Sequence, residues 1–147
     1  MNDASQSIMD GTAATKSKIL IAVTGQDIVE ELSAAILRRR GHWVDKLPLS
    51  SHTKDNLGDY DLVAIALNAN QPDGLTYCVE LRQISKVPVL ILVEWTARNM
   101  GIQALELGAD SFMLTPYDRR ELVARAEALI RRYLGFTQPA GDAQASR

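Results

Sequence analysis

Two runs of this chain, Asp61-Leu-Val-Ala-Ile-Ala-Leu67 and Val87-Pro-Val-Leu-Ile-Leu-Val93, are apolar on both faces. Such a strand must be covered on both sides, the situation of a central strand in a parallel sheet with helices above and below. Around these runs, short β-branched segments alternate with amphipathic ones. Lys18 to Val23 reads as a strand, after which Ile28, Leu32, Ala35 and Ile36 recur at helical spacing up to the Arg40-Gly41 stop. A weaker strand is expected over 42–47. Residues 48–58 are polar and carry Pro, Asn and Gly, so a helix there is short or missing.

Farther on, 68–74 is a loop, and Leu75, Cys78, Val79 and Ile84 mark a further helix whose inward face holds Cys78 as an inert core thiol. Pro88 is tolerable only near the start of its strand. Thr96 begins a helix in which Met100, Ala104 and Leu107 form the inward stripe. The last strand covers 110–114, and Asp118 caps a long helix with Leu122, Ala126, Leu129, Ile130 and Tyr133 on one face. The pattern predicts a flavodoxin-like (βα)5 doubly wound parallel sheet of strand order 2-1-3-4-5, its second helix short or missing. The domain spans 18–134. Segment 1–17 reads as a disordered tail and 135–147 as a tail or linker, both rich in small polar residues without periodicity.

A chain of 147 residues, 46% hydrophobic and 23% charged, supports one sizeable core. Lys and Arg total 16 against 18 Asp and Glu, a net charge of -2, so no overall basic field holds nucleic acid. DNA contact would need a partner or a further domain. The lone cysteine excludes an internal disulfide, and His42 and His52 are too isolated to suggest a zinc cluster. No signal peptide and no run near the ~20 apolar residues of a membrane span is seen. A cytoplasmic setting without membrane contact is expected.

Function in doubly wound sheets gathers at the carboxyl ends of the strands, here Val23, Thr24 and Gly25, 66–70, Val93 and Glu94, and Thr115. That edge is almost empty of charge. It offers no converging carboxylates for a metal, no acceptor for a phosphoryl group and no nucleophile-base pair, so neither cofactor nor enzymatic activity is expected. The Walker and dinucleotide glycine patterns are missing. Thr24-Gly25 reads as a tight turn, with Asp27 a favourable charge at the start of the helix.

Lys18-Ile-Leu-Ile21, Asp59-Tyr-Asp-Leu-Val63, Asp73-Gly74-Leu75, Val87-Pro88-Val89, Leu107-Gly-Ala-Asp110, Pro116 and Glu121-Leu-Val-Ala-Arg125 resemble, in order and spacing, the receiver domain of two-component response regulators. The resemblance runs from Lys18 to about Leu134. It implies two acidic magnesium ligands after the first strand, a phosphorylated Asp ending the third, a Thr or Ser ending the fourth and a Lys ending the fifth. This chain has Val23 and Thr24, Ala66, Val93 and Thr115 at those positions. All five are altered, and Asp27, Asp61 and Asp73 are not placed to replace them. An atypical, phosphorylation-independent receiver is therefore expected.

The resemblance further implies that Phe112 holds the switch-aromatic position, which has lost its hydroxyl partner at Val93, and that Thr115-Pro116 is a cis peptide. Similarity to the OmpR subfamily implies a homodimer through the Thr96 helix, the last strand and the last helix. Its apolar centre would be Ile102, Leu105 and Ala124. Asp110, Glu121 and Arg125 remain of the surrounding charges, while Gly101 stands where a basic partner of Glu121 is expected, and Ser111 and Glu127 also depart. Such a module would act in signal transduction and transcription control, which by the same resemblance implies DNA contact only through a C-terminal domain not present in this chain. The alternative is a small-ligand sensor formed by Thr24, Gly25, Asn68, Asn70, Trp95 and Thr115. Of the remaining features, Arg38-Arg39-Arg40 and Arg131-Arg132 suit helix C-termini. Trp43 reads as packing, and Trp95 is the better binding aromatic.

Overall fold

The alternation of two-faced apolar strands with helices produces one parallel sheet. The structure, a computed structural model, describes residues 16–23, 28–49, 57–70 and 73–137. Its strands are β1 (Lys18–Val23), β2 (Trp43–Pro48), β3 (Leu62–Leu67), β4 (Val89–Glu94) and β5 (Ser111–Thr115). Helices α1 (Ile28–Arg39), α2 (Asp73–Ile84), α3 (Arg98–Glu106) and α4 (Arg119–Thr137) lie between and after them. The strand order is β2-β1-β3-β4-β5, every pair parallel, which is the expected flavodoxin-like arrangement. β3 is buried at all its positions and β4 at all but Glu94.

Strand alternation divides the core in two. Ile19, Ile21, Ala64, Ala66, Leu90, Leu92 and Met113 pack with α1 and α4. Leu20, Ala22, Val63, Ile65, Leu67, Ile91 and Val93 pack with α2 and α3. Gly41 (φ 108) and Gly108 (φ 117) adopt the left-handed conformation that stops α1 and α3.

The amino edge of the sheet is stitched by side chains. The Asp61 carboxylate accepts the Lys18 amide (3.0 Å), and that of Asp110 accepts the Val89 amide (2.8 Å) and the Arg82 guanidinium (3.1 Å). Arg82 also donates to the carbonyls of Gly108, Ser85 and Val87. His42 Nδ1 accepts the Ser17 amide (3.3 Å), so Nε2 carries the hydrogen that reaches Glu127 (2.9 Å). Tyr60 donates to Asp45 (2.7 Å), and burial first, then that hydrogen bond, pushes its phenol well up.

Several faces differ from the sequence reading. In α1 the inward residues are Ala34, Ile36 and Leu37 with Glu30 and Ser33, whereas Ile28 is 80% exposed, Leu32 52%, and Ala35 exposed. The Ser33 hydroxyl meets the Tyr117 hydroxyl at 2.6 Å, which fixes a polar position inward. Ile84 and Leu107 are exposed because each stands at the end of its helix, beyond the last turn that packs. Trp43 projects from edge strand β2 and is exposed rather than packed. β5 and β2 each begin one residue later than expected, and α4 runs past Leu134 through Gly135 to Thr137. Cys78 is buried, and burial raises its thiol to about 11. At the end of segment 48–58, residues 57 and 58 form one turn of 3-10 helix together with residue 59. Residues 50–56, 1–15 and 138–147, on which most of the segment expected to hold a short or missing helix and most of both tails fall, lie outside the described residues, whereas Ser17, expected in the first tail, is buried. No helix among the described residues is long and apolar enough to cross a membrane.

Candidate functional site

Register fixes what stands at the carboxyl edge. Val23 lies beside Pro48, Ala66 beside Leu92, and Glu94 beside Thr115. Ala66 is 3% exposed and its methyl joins the α1–α4 core; Val93, 1% exposed, joins the other. Thr115 is buried and Val23 half-buried. Thr24, Gly25 and Asp27 lie outside the described residues. Glu94 is exposed and accepts the Thr96 hydroxyl (3.3 Å). Among the described residues no group of three or more His, Cys, Asp or Glu could hold a metal. The methyl groups of Ala66 and Val93 offer neither nucleophile nor hydrogen bond. Asn68, Asn70 and Trp95, proposed for a ligand, are all exposed, and the Asn68 side chain is taken up by the Asn70 amide (2.8 Å).

The outer edge of β5 forms the floor of a hollow of about 610 Å3 between α3 and α4. Leu105, Asp110, Glu121 and Arg125 line it with Phe112 and Pro116, so most of the expected interface residues do converge. Ile102 is half-buried and lies outside its lining, and Ala124 lines a different groove, facing α1. Leu105 is 40% exposed. The charges are satisfied within the chain. Arg125 donates to Glu121 (2.9 Å) and to the Ser111 hydroxyl (3.2 Å), while Asp110 is held by Arg82. The Thr115–Pro116 peptide is cis.

Phe112 is half-buried against α3, and Gly101 is what lets it lie there. A Cβ at Gly101 would stand 2.7 Å from Phe112 Cδ1, and the Arg98 guanidinium sits 6.0 Å from the ring centroid. Sequence reasoning treated Gly101 as a missing charge and overlooked it as the seat of this ring; a glycine inside an otherwise regular helix was the available signal. It also passed over the Arg40–Glu127–His42 cluster. Burial pushes the Glu127 carboxyl up, but hydrogen bonds from Arg40 (2.7 and 3.1 Å) and His42 outweigh it and hold the group below its ordinary value.

Residues 19–127 match the family described as response regulator receiver domain. The chain is 31% identical over 140 residues to the alkaline phosphatase synthesis transcriptional regulatory protein SphR of Synechococcus elongatus, covering 87% of this chain and 54% of SphR. It is 36% identical over 72 residues to the transcriptional regulatory protein BaeR of Escherichia coli, covering 49% of this chain and 30% of BaeR. It thus spans about half or less of these curated relatives. The receiver domain of the TMAO respiratory system response regulator TorR superposes with a TM-score of 0.68 at 24% identity over 80% of this chain and 98% of that one. A two-component response regulator from Clostridium difficile gives 0.67 at 22%, over 80% and 98%. By sheet order and by this match over most of its length, the chain belongs to the response regulator receiver family of two-component signalling.

Proposed function

We propose that this protein is a non-catalytic receiver released from phosphoryl control, a cytoplasmic interaction module that pairs with a second copy through α3, β5 and α4 and serves transcription regulation. The observation that carries the reading is Ala66, a buried methyl at the position where the family resemblance places the phosphoacceptor. Val93 and Thr115, at the hydroxyl and lysine positions, support it. A receiver's two states are separated by differential contacts of the phosphoryl group, and with no acceptor that bias is removed. Phe112 seated on Gly101 is consistent with a single resting arrangement. The names of SphR and BaeR support a role in transcription, with any DNA contact assigned to a separate domain.

The pairing surface would be the β5 hollow, with Leu105 at its centre. Because Arg125, Glu121 and Asp110 are already paired within the chain, association would rest on apolar contact, and surface ion pairs contribute little. Sedimentation equilibrium tests this directly: a dimer for the wild type and a monomer for Leu105→Arg is the expected result. A wild-type monomer at all accessible concentrations would refute the pairing. Amide NMR shifts at the carboxyl edge on adding magnesium and beryllofluoride would refute independence from phosphate.

A further inference from the structure

A further hollow, a groove of about 520 Å3 between α1 and α4, carries no role in the proposal above. Its apolar floor is Ile36, Val123 and Ala124, and its rim carries Arg39, Arg40, Arg119 and Arg120. Arg40 is bound to Glu127, and Arg120 lies 3.5 Å from Asp118. Arg39 and Arg119 are exposed and form no ion pair among the described residues. Two exposed guanidiniums outside any described ion pair, Arg119 with the Asp118 carboxylate beside it in sequence, flank an apolar floor in a chain whose net charge is -2.

Helix stability does not account for this cluster. Arg39 at the end of α1 complements the helix dipole, but Arg119 and Arg120 open α4, where the dipole disfavours a cation. We infer that the groove docks an acidic amphipathic helix of a protein partner. Such a helix would lay apolar side chains on Ile36, Val123 and Ala124 while its flanking carboxylates meet Arg39 and Arg119. Nucleic acid fits less well, since its backbone has no apolar ridge to lay on the floor of Ile36, Val123 and Ala124. The site is separate from the β5 hollow, so its fate does not depend on pairing or on phosphate.

The test uses fluorescence anisotropy with a fluorescein-labelled helical peptide bearing leucines along one face and glutamates on both flanks. Saturable binding that weakens as salt is raised is expected, with no binding of a twin carrying lysine for glutamate. Arg39→Glu combined with Arg119→Glu should weaken binding about tenfold or more. Ala124→Glu, an exposed position that places a carboxylate on the floor, should do the same. Thermal melts confirm that each variant is folded. No binding, or equal binding by both variants, overturns the inference. So does tighter binding of a labelled single-stranded oligonucleotide, or loss of self-association in the arginine variant, which would give the groove to nucleic acid or to a second copy.

Discussion

The two edges of the sheet invite comparison. At the amino edge, Asp61, Asp110, Arg82 and His42 each bond the backbone of a neighbouring element, closing every junction where a strand begins. At the carboxyl edge the corresponding positions are held by Ala66, Val93 and Thr115, and beyond the Leu49 amide on the Val23 carbonyl and the Ser33–Tyr117 hydroxyl pair just after β5, the described polar contacts there are local, such as Thr96 with Glu94 and Asn70 with Asn68. A doubly wound sheet places its chemistry at the carboxyl ends and can lose that chemistry without losing its frame. The frame is held at the opposite end.

That contrast is broken most sharply by restoring a carboxylate. Ala66→Asp places a charge at a 3% exposed position beside apolar neighbours and without the family's acidic residues or lysine to compensate. A destabilisation of about 3–5 kcal/mol is expected in urea unfolding. Burial raises the new carboxyl above its unfolded value, so the loss should grow as pH rises from 5 to 8. Beryllofluoride should not recover it. A variant as stable as the wild type would show a polar, hydrated edge instead. The amino edge is tested by Arg82→Ala, which strips the carbonyls of Gly108, Ser85 and Val87 and the Asp110 carboxylate of their donor. About 2–3 kcal/mol should be lost, with no change in response to magnesium. Between the edges, Gly101→Ala sets a methyl 2.7 Å from the Phe112 ring. Overpacking should outweigh the gain in helix propensity by about 1–2 kcal/mol, and combination with Phe112→Leu should recover most of it. A neutral Gly101→Ala would mean that the ring moves freely.

The strand order was legible because runs apolar on both faces have one home, and the carboxyl-edge residues followed because strand ends locate them by counting. The faces of helices were less legible. In α1 the spacing of Ile28, Leu32 and Ala35 is as regular as that of Ser33, Ile36 and Leu37, and what decides between them is the Tyr117 hydroxyl on Ser33, from a residue far along the chain. Leu107 repeats the period of α3, but the Gly108 turn ends the helix before that position can pack. The stitching role of Arg82 depends on acceptors from two junctions, α2–β4 and α3–β5, and has no local signature. Ala124 was placed on the β5 side by similarity to the OmpR subfamily, yet it lines the groove on the α1 side with Val123.

The smallest effect concerns Glu127, which ties α4 to the start of β2 through Arg40 and His42. Glu127→Gln keeps the shape but removes the charge, at a cost of about 1 kcal/mol at neutral pH. Because the Glu127 carboxyl is held below its ordinary value of 4.5 in the folded protein, its charge contributes stability that is fully present above that value. The contribution is lost as pH falls through the lower, folded value, since the unfolded chain takes up the proton first. The difference between wild type and variant should therefore be constant near neutrality and vanish toward pH 3, read from denaturant unfolding at each pH. A difference that persists at pH 3 would mean that Glu127 acts through packing rather than charge. The amino-edge tie would then resemble the apolar carboxyl edge more closely than its hydrogen bonds suggest.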